Sequence, residues 1–380
     1  MTTATTRVLK NNWQDVNWQS ETFFSDNDRY FDELIDSLNQ ARCSIILATY
    51  IFHFDAIGQR FVKSLTAARE RGVTVRVLFD GIGSKEEGDV VAAALEEKDI
   101  PVKIFHPLPW QISNPRRSLR RGSWLGNVIF HLLRINQRHH AKYCIIDNEI
   151  LWCGSPNVSM VHVSADKGGG NWHDIGVRLT GPQVQSVVDA FEDIWHFRRP
   201  RLGRGLFRYY WSNITERARR EKNKLIAEYL SNARERIWII NPYFSPTTAI
   251  VRALMDASRN GADVRVIVSY KSDIEFFPQL MATYYEELLK HKVRIFEYQP
   301  AILHAKLLMI DDMSLIGSTN LNHRSLLHDV EFDVLVRSAD AEQQFAKDQQ
   351  QSKEITLTDL DTIKTRRLLG WIPWLVRYWL

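Results

Sequence analysis

Long apolar runs are missing from this chain. No window reaches about 18 uninterrupted apolar residues, so no membrane-spanning helix is expected. The opening stretch, MTTATTRVLKNNWQ, lacks the apolar centre of a secretory leader, so none is expected. Cysteine is scarce. Cys43, Cys144 and Cys153 are odd in number, and each sits in a short strand-like apolar run. That pattern argues against a disulfide framework and for buried free thiols in a reducing compartment. Charge of one sign is scarce too. The formal net charge is +4 over 380 residues, too mild to imply a partner, so any basic patch has to be local. No Cys/His set has the spacing of a tetrahedral metal site, and neither a metal nor a cofactor is expected.

What the chain does have is a long internal repeat. Ala41-Arg42-Cys43-Ser44-Ile45-Ile46-Leu47 returns as Ala233-Arg234-Glu235-Arg236-Ile237-Trp238-Ile239. Arg71-Gly72-Val73-Thr74-Val75-Arg76-Val77 returns as Asn260-Gly261-Ala262-Asp263-Val264-Arg265-Val266. His140-Ala141-Lys142 returns as His304-Ala305-Lys306. Each unit opens with a buried β-branched run and continues into an amphipathic helix, one carrying Phe61, Leu65 and Ala68, the other expected to start at Ser245-Pro246. Gly72 and Gly261 stand where a helix end favours positive φ. A strand follows each glycine, then another helix, which in the first unit is expected to open on the capping box Ser84 to Glu87. Such alternation predicts an α/β fold of two similar α/β/α lobes, each a mostly parallel mixed sheet flanked by helices, related by a pseudo-two-fold axis.

The expected divisions are a first lobe over 1–200, a linker over 201–223, a second lobe over 224–355 and a Trp-rich tail over 356–380. The first lobe carries an insert at roughly 107–138, where Arg116, Arg117, Arg120, Arg121, Arg134 and Arg138 interleave with Trp110, Trp124 and several leucines and isoleucines. Such a segment reads either as an amphipathic surface element or as a solvated loop with one packed helix. The tail 364–380, KTRRLLGWIPWLVRYWL, reads either as an interfacial membrane anchor or as a segment packed back on the protein.

The chemistry lies in two matching constellations. The first is His140-x-Lys142-x4-Asp147-x6-Gly154-Ser155-x-Asn157, and the second is His304-x-Lys306-x4-Asp311-x5-Gly317-Ser318-x-Asn320. Histidine and lysine two apart on a strand would share a face. Histidine can act as a nucleophile or proton donor near neutral pH, lysine supplies a cation for a phosphate oxygen, and serine and asparagine add hydrogen bonds. Facing one another, the two sets would hold one phosphate between two imidazoles. His139 should point away, at the surface or in packing, and His162, His173 and His328 are read as bland polar residues rather than cleft residues.

These motifs resemble the paired HKD motifs of the phospholipase D superfamily. The continuations GSTNLNHRSLLHDVEFDVLV and NWHDIGVRLTGP are similar to the cardiolipin synthase branch, in particular its short bacterial members without transmembrane anchors. Two departures stand out: the second motif has one residue fewer between Asp311 and Gly317, and Asp329 replaces a frequent Asn. The resemblance implies a two-step transfer in which His140 attacks phosphorus and His304 serves as acid and base. It implies that Lys142, Lys306, Asn157 and Asn320 hold the phosphoryl oxygens, with Ser155 and Ser318 in support. Asp174 and Glu331 would orient the imidazoles, and Asp147 and Asp311 would be structural. The implied substrate is a phospholipid, phosphatidylglycerol first, and the implied product cardiolipin. Hydrolysis of phospholipids, a nuclease or phosphodiesterase activity, and an inactive lipid-binding scaffold are the competing readings. No nucleic-acid partner is expected. The enzyme is expected at the cytoplasmic face of a bacterial inner membrane, held peripherally by the insert and the tail.

Overall fold

The computed structural model describes residues 17–108, 111, 117, 119, 137–198, 207–337, 339–360 and 362–363. The tail at 364–380 lies outside these residues, as does most of the insert.

The first sheet is built from β1 (Ser20–Phe24), β2 (Ser44–Thr49), β3 (Thr74–Asp80), β4 (Val102–Phe105), β5 (Tyr143–Ile146), β6 (Ile150–Gly154) and β7 (Gly176–Thr180). Its strand order is β1-β7-β6-β5-β2-β3-β4. The helices α1 (Asn27–Gln40), α2 (Ala56–Glu70), α3 (Gly88–Glu96) and α4 (Val184–Trp195) flank it. The second sheet repeats the plan with β8 (Tyr210–Ser212), β9 (Arg236–Ile240), β10 (Asp263–Ser269), β11 (Arg294–Tyr298), β12 (Leu307–Ile310), β13 (Met313–Gly317) and β14 (Phe332–Val336), and adds β15 (Ser352–Ile355). Its order is β15-β11-β10-β9-β12-β13-β14-β8. Its helices are α5 (Glu216–Asn232), α6 (Thr248–Arg259), α7 (Phe277–Lys290), the short α8 (His323–Leu327) and α9 (Ala339–Gln350).

Both sheets are mixed and flanked by helices, as the repeat predicts. The parallel part is smaller than expected. Only β2-β3-β4 and β9-β10-β11 run parallel, because each motif forms a hairpin that turns the rest antiparallel. Alternation along β2 shows how one strand serves two cores. Ile45 and Leu47 pack outward under α1 to α3, while Ile46 and Ala48 face a core continuous with the second lobe. The inner faces meet through aromatic pairs such as Tyr143 and Phe332, whose ring centres lie 4.8 Å apart.

Some local expectations are corrected. Gly72 and Gly261 do adopt positive φ, 90° and 100°. The Ser84–Glu87 capping box does not form: Glu87 occupies the N-cap of α3 without a side-chain cap bond, its carboxylate instead accepting from the Phe54 N–H, while the Ser84 hydroxyl bonds the Phe52 N–H and the Tyr50 carbonyl. Helix α6 begins at Thr248 after Thr247, not at Ser245, whose backbone bridges to Asn322. Within the 201–223 stretch, read as linker running into helix, the helix α5 does start, after a Thr215 cap, and β8 ahead of it forms an edge of the second sheet. Cys144 and Cys153 are buried free thiols, but Cys43 is exposed. Two insert arginines are not available to a lipid surface. Arg117 pairs with Asp89 and Glu96, and Arg138 is buried at the lobe junction.

Candidate active site

Each motif aspartate ties its hairpin to the sheet. Asp147 accepts the backbone N–H groups of Arg42, Cys43 and Ser44, and Asp311 accepts those of Arg234, Glu235 and Arg236. Both take positive φ, 54° and 52°, at the turn. The one-residue difference between the motifs is absorbed there. Ile146 pairs with Ile150 across three residues, whereas Ile310 pairs with Met313 across two.

The His-x-Lys segments are not part of the strands. They precede β5 and β12 as extended chain, and their backbone bonds go to the opposite lobe. The His140 N–H donates to the Val330 carbonyl at 2.8 Å, and the Val330 N–H returns to Arg138 at 2.7 Å. In the mirror position the His304 N–H donates to the His173 carbonyl at 2.8 Å, and the His173 N–H donates to Ile302. Leaving the sheet early lets each lysine curl back. Lys142 Nζ donates to the His140 carbonyl at 2.7 Å, and Lys306 Nζ to the His304 carbonyl. Tyr50 and Tyr243, which follow the first strand of each repeat, support the lysines from below with ring centres 5.5 and 5.9 Å from the ammonium nitrogens.

The carboxylates cross between lobes. Asp174, in the first lobe, accepts from His304 Nδ1 at 2.6 Å. Glu331, in the second, accepts from His140 Nδ1 at 3.0 Å. Ser155 donates to Asp174 at 2.6 Å, and Ser318 donates to Glu331. A further residue completes each set five positions after the motif asparagine. His162 Nδ1 lies 2.6 Å from Asp174, and its Nε2 accepts the Asn157 N–H at 3.1 Å. Ser325 donates to Glu331 and accepts the Asn320 N–H at 3.0 Å. The Asn157 amide oxygen takes the Ile51 N–H at 3.2 Å, whereas the buried Asn320 oxygen has no partner among the described residues.

Sequence reasoning missed Tyr50, Tyr243, Ser325 and the place of His162, which was read as bland. Laying the two motifs over one another and reading five residues past each asparagine would have drawn attention to the last pair. Of the surface and packing alternatives for His139, the structure has packing: the ring is buried 5.4 Å from that of Phe105. His173 stacks on Tyr298 and pairs with Asp348 at 2.8 Å. Asp329, where an Asn was expected, accepts the Arg138 N–H and the Arg324 guanidinium, each at 3.1 Å.

Electrostatics make the centre ready for an anion. Burial lowers Lys142 to about 8, and burial together with the charge of Lys142 lowers Lys306 to about 7. Burial, Lys142 and Lys306 hold His140 well below the ordinary imidazole range, and burial with Lys306 holds His304 there against the opposing charge of Asp174. Two buried ammoniums, one of them depressed by the charge of the other, are stabilised by any anion placed between them. The carboxylates differ. Burial raises Glu331 to about 7 against the opposing Lys142 and serine bonds. Burial alone would raise Asp174 too, but the facing His162 and His304 outweigh it and hold it well below the carboxylate range.

His162, Asp174 and His304 also form the one trio among the described residues whose donor atoms converge as metal ligands might be arranged. The 2.6 Å separations are hydrogen-bond lengths. Two ligand atoms on a tetrahedral ion with bonds of ~2.0 Å would stand about 3.3 Å apart. The trio is a hydrogen-bonded chain.

Comparison with known proteins agrees with this geometry. Residues 34–195 and 226–352 match the family described as cardiolipin synthase, PLD-like domain. Cardiolipin synthase 2 of Bacillus anthracis is 28% identical over 373 residues, covering 93% of this chain and 68% of that protein. Cardiolipin synthase A of Pseudomonas putida strain W619 is 27% identical over 353 residues, covering 89% and 70%. Among solved structures, phosphatidylserine synthase of Haemophilus influenzae shares the fold with a TM-score of 0.71 at 13% identity, covering 99% of this chain and 100% of that one. Polyphosphate kinase of Porphyromonas gingivalis shares it more loosely, with a TM-score of 0.56 at 12% identity over 87% and 49%. With a family model matched across both lobes, the chain is an enzyme of the cardiolipin synthase family with the phospholipase D fold.

Proposed function

We propose that this enzyme makes cardiolipin by moving a phosphatidyl group from one phosphatidylglycerol to another, releasing glycerol. The observation that carries the reading is the crossed pairing at the lobe junction, within a chain matched by the cardiolipin synthase family model in both halves. His140 is the nucleophile. Its carboxylate partner Glu331 is pushed toward neutrality and so favours an unprotonated ring with a free Nε2. His304 is the acid and base. The ionised Asp174 behind it stabilises an imidazolium, as a buried aspartate does in a hydrolase triad.

In the first step Nε2 of His140 forms a bond to phosphorus as the bond to the glycerol oxygen breaks, and His304, entering the step as the imidazolium that Asp174 and the bound phosphate stabilise, gives that oxygen its proton. In the second, His304 removes a proton from the hydroxyl of the incoming phosphatidylglycerol, whose oxygen displaces His140. Lys142, Lys306, Asn157 and Asn320 hold the phosphoryl oxygens, and Ser155 and Ser318 fix the carboxylates. Asp147 and Asp311 are structural. The substrate sits in a membrane, so the protein works at its surface, on the cytoplasmic face. The 107–138 insert and 364–380 tail are the segments assigned to that contact.

The test is to give purified enzyme headgroup-labelled phosphatidylglycerol in vesicles and identify products. Cardiolipin and free glycerol in equal amounts support the proposal. Phosphatidic acid and glycerol with no cardiolipin would replace it with hydrolysis.

A further inference from the structure

The two half-sites differ most in what sits beside each carboxylate: Ser325 beside Glu331, but a histidine beside Asp174. His162 is fully buried, and its tautomer is fixed from both sides. Nε2 accepts the Asn157 N–H, so it carries no proton, and Nδ1 therefore holds the hydrogen directed at Asp174 Oδ2. Asp174 spends its other oxygen on His304 and Ser155. The His162 ring centre also lies 5.2 Å from that of His304, and Trp172 closes the triangle at 5.4 and 5.3 Å. His162 and Trp172 are among the residues around a polar cleft of about 360 Å³, with Asn27, His173 and Asp348.

We propose that His162 is a positioning residue that makes His304 the acid and base of the pair. Its Nδ1–H anchors one oxygen of Asp174, so the other stays aligned and ionised behind His304. Its Nε2 ties the same unit to the backbone of Asn157, so phosphate-holding and proton-donating groups are set by one ring. The serine at the mirror position is a smaller, neutral hydroxyl, which leaves Glu331 the weaker base-supporting carboxylate. The pseudo-symmetric site thereby gains a direction. This assignment rests on the roles given above to His140 and His304.

The test uses the full chain and two donors: phosphatidylglycerol, whose glycerol must leave with a proton, and a p-nitrophenyl phosphodiester, whose leaving group departs without one. His162→Ala should lower kcat on phosphatidylglycerol by about 30- to 100-fold with KM little changed, and reduce the nitrophenolate burst far less, because proton donation is the part lost. The acid limb of its pH profile should move upward, since Asp174 loses a donor and protonates more readily. His162→Asn, which can still donate to Asp174, should recover more activity than His162→Gln. Imidazole should restore His162→Ala in a saturable way, the emptied space opening on the 360 Å³ cleft. Equal losses on both donors with an unmoved pH profile would overturn the proposal, and so would an Asn variant no better than Gln. If the wild type makes no cardiolipin yet cleaves both donors, the product assignment falls and this comparison still stands or fails by itself.

Discussion

The two halves of the active site are built to one plan and arrive at different chemistry. In both, a carboxylate accepts from the opposite lobe's histidine, from the motif serine and from the residue five places past the motif asparagine. Around Asp174 the third donor is an imidazole, and the carboxyl is held low. Around Glu331 it is a hydroxyl, and the carboxyl is raised to about 7. A duplicated fold supplies symmetry of position, and the local donors decide the proton. Chemistry that needs one nucleophile and one acid can therefore arise from two copies of the same motif.

Removing the histidines gives the largest effect. His140→Ala and His304→Ala should each lower kcat by roughly 10³-fold or more, and for different reasons. Mass spectrometry after a denaturing quench at neutral pH should find a phosphatidyl adduct on His140 in the His304→Ala protein and none on His304 in the His140→Ala protein. An adduct on His304 would reverse the roles. Next come the carboxylates. Asp174→Asn should cost about 10²- to 10³-fold in kcat, several times more than Glu331→Gln, because only Asp174 is held ionised at neutral pH. Equal losses would erase the distinction between the half-sites.

The lysines give a smaller, graded effect. Lys306 and Lys142 are lowered to about 7 and 8, so in the free enzyme their charge disappears as pH rises through that window. A plot of log kcat/KM should bend downward above pH ~7, whereas kcat, reporting the complex with bound phosphate, should bend at higher pH. Identical limbs would show that the lysines do not meet the substrate anion.

The mildest comparison concerns His139, which stands where the second repeat has Leu303. Its buried ring has no hydrogen-bond partner among the described residues, and burial lowers it to about 3. The folded pKa is below the unfolded one, so its contribution to stability is present above pH ~6.5 and is lost as pH falls, amounting to roughly 1–2 kcal/mol by pH ~5. His139→Leu should flatten the acid side of the thermal-stability profile by that amount without changing it at pH ~8. An unchanged slope would place the acid sensitivity elsewhere.

The repeat made the lobes and motif positions legible because it recurs as contiguous strings: apolar strand, glycine after the helix, His-Ala-Lys, Gly-Ser-x-Asn. The crossed carboxylates were legible as residues but not as partners. Asp174 lies 34 positions from His140 and 130 from His304, and nothing along the chain says that it meets the farther one. That pairing follows from how one sheet faces the other. The Ser84 and Ser245 expectations failed for a related reason. Both residues had suitable local patterns, yet their bonds go to Tyr50, Phe52 and the Asn322 segment, contacts distant in sequence that outweigh helix-start preference. His162 was overlooked because a lone buried histidine looks alike in every core until its neighbours are known.

The exchange of acids between lobes has a bearing on the life of the polypeptide before it is finished. A ribosome releases the amino-terminal half first, complete with its own HKD sequence, yet the glutamate that aligns His140 has not been made. Under the proposed roles, a fragment of either half would lack the carboxylate that its own motif histidine bonds in the whole chain.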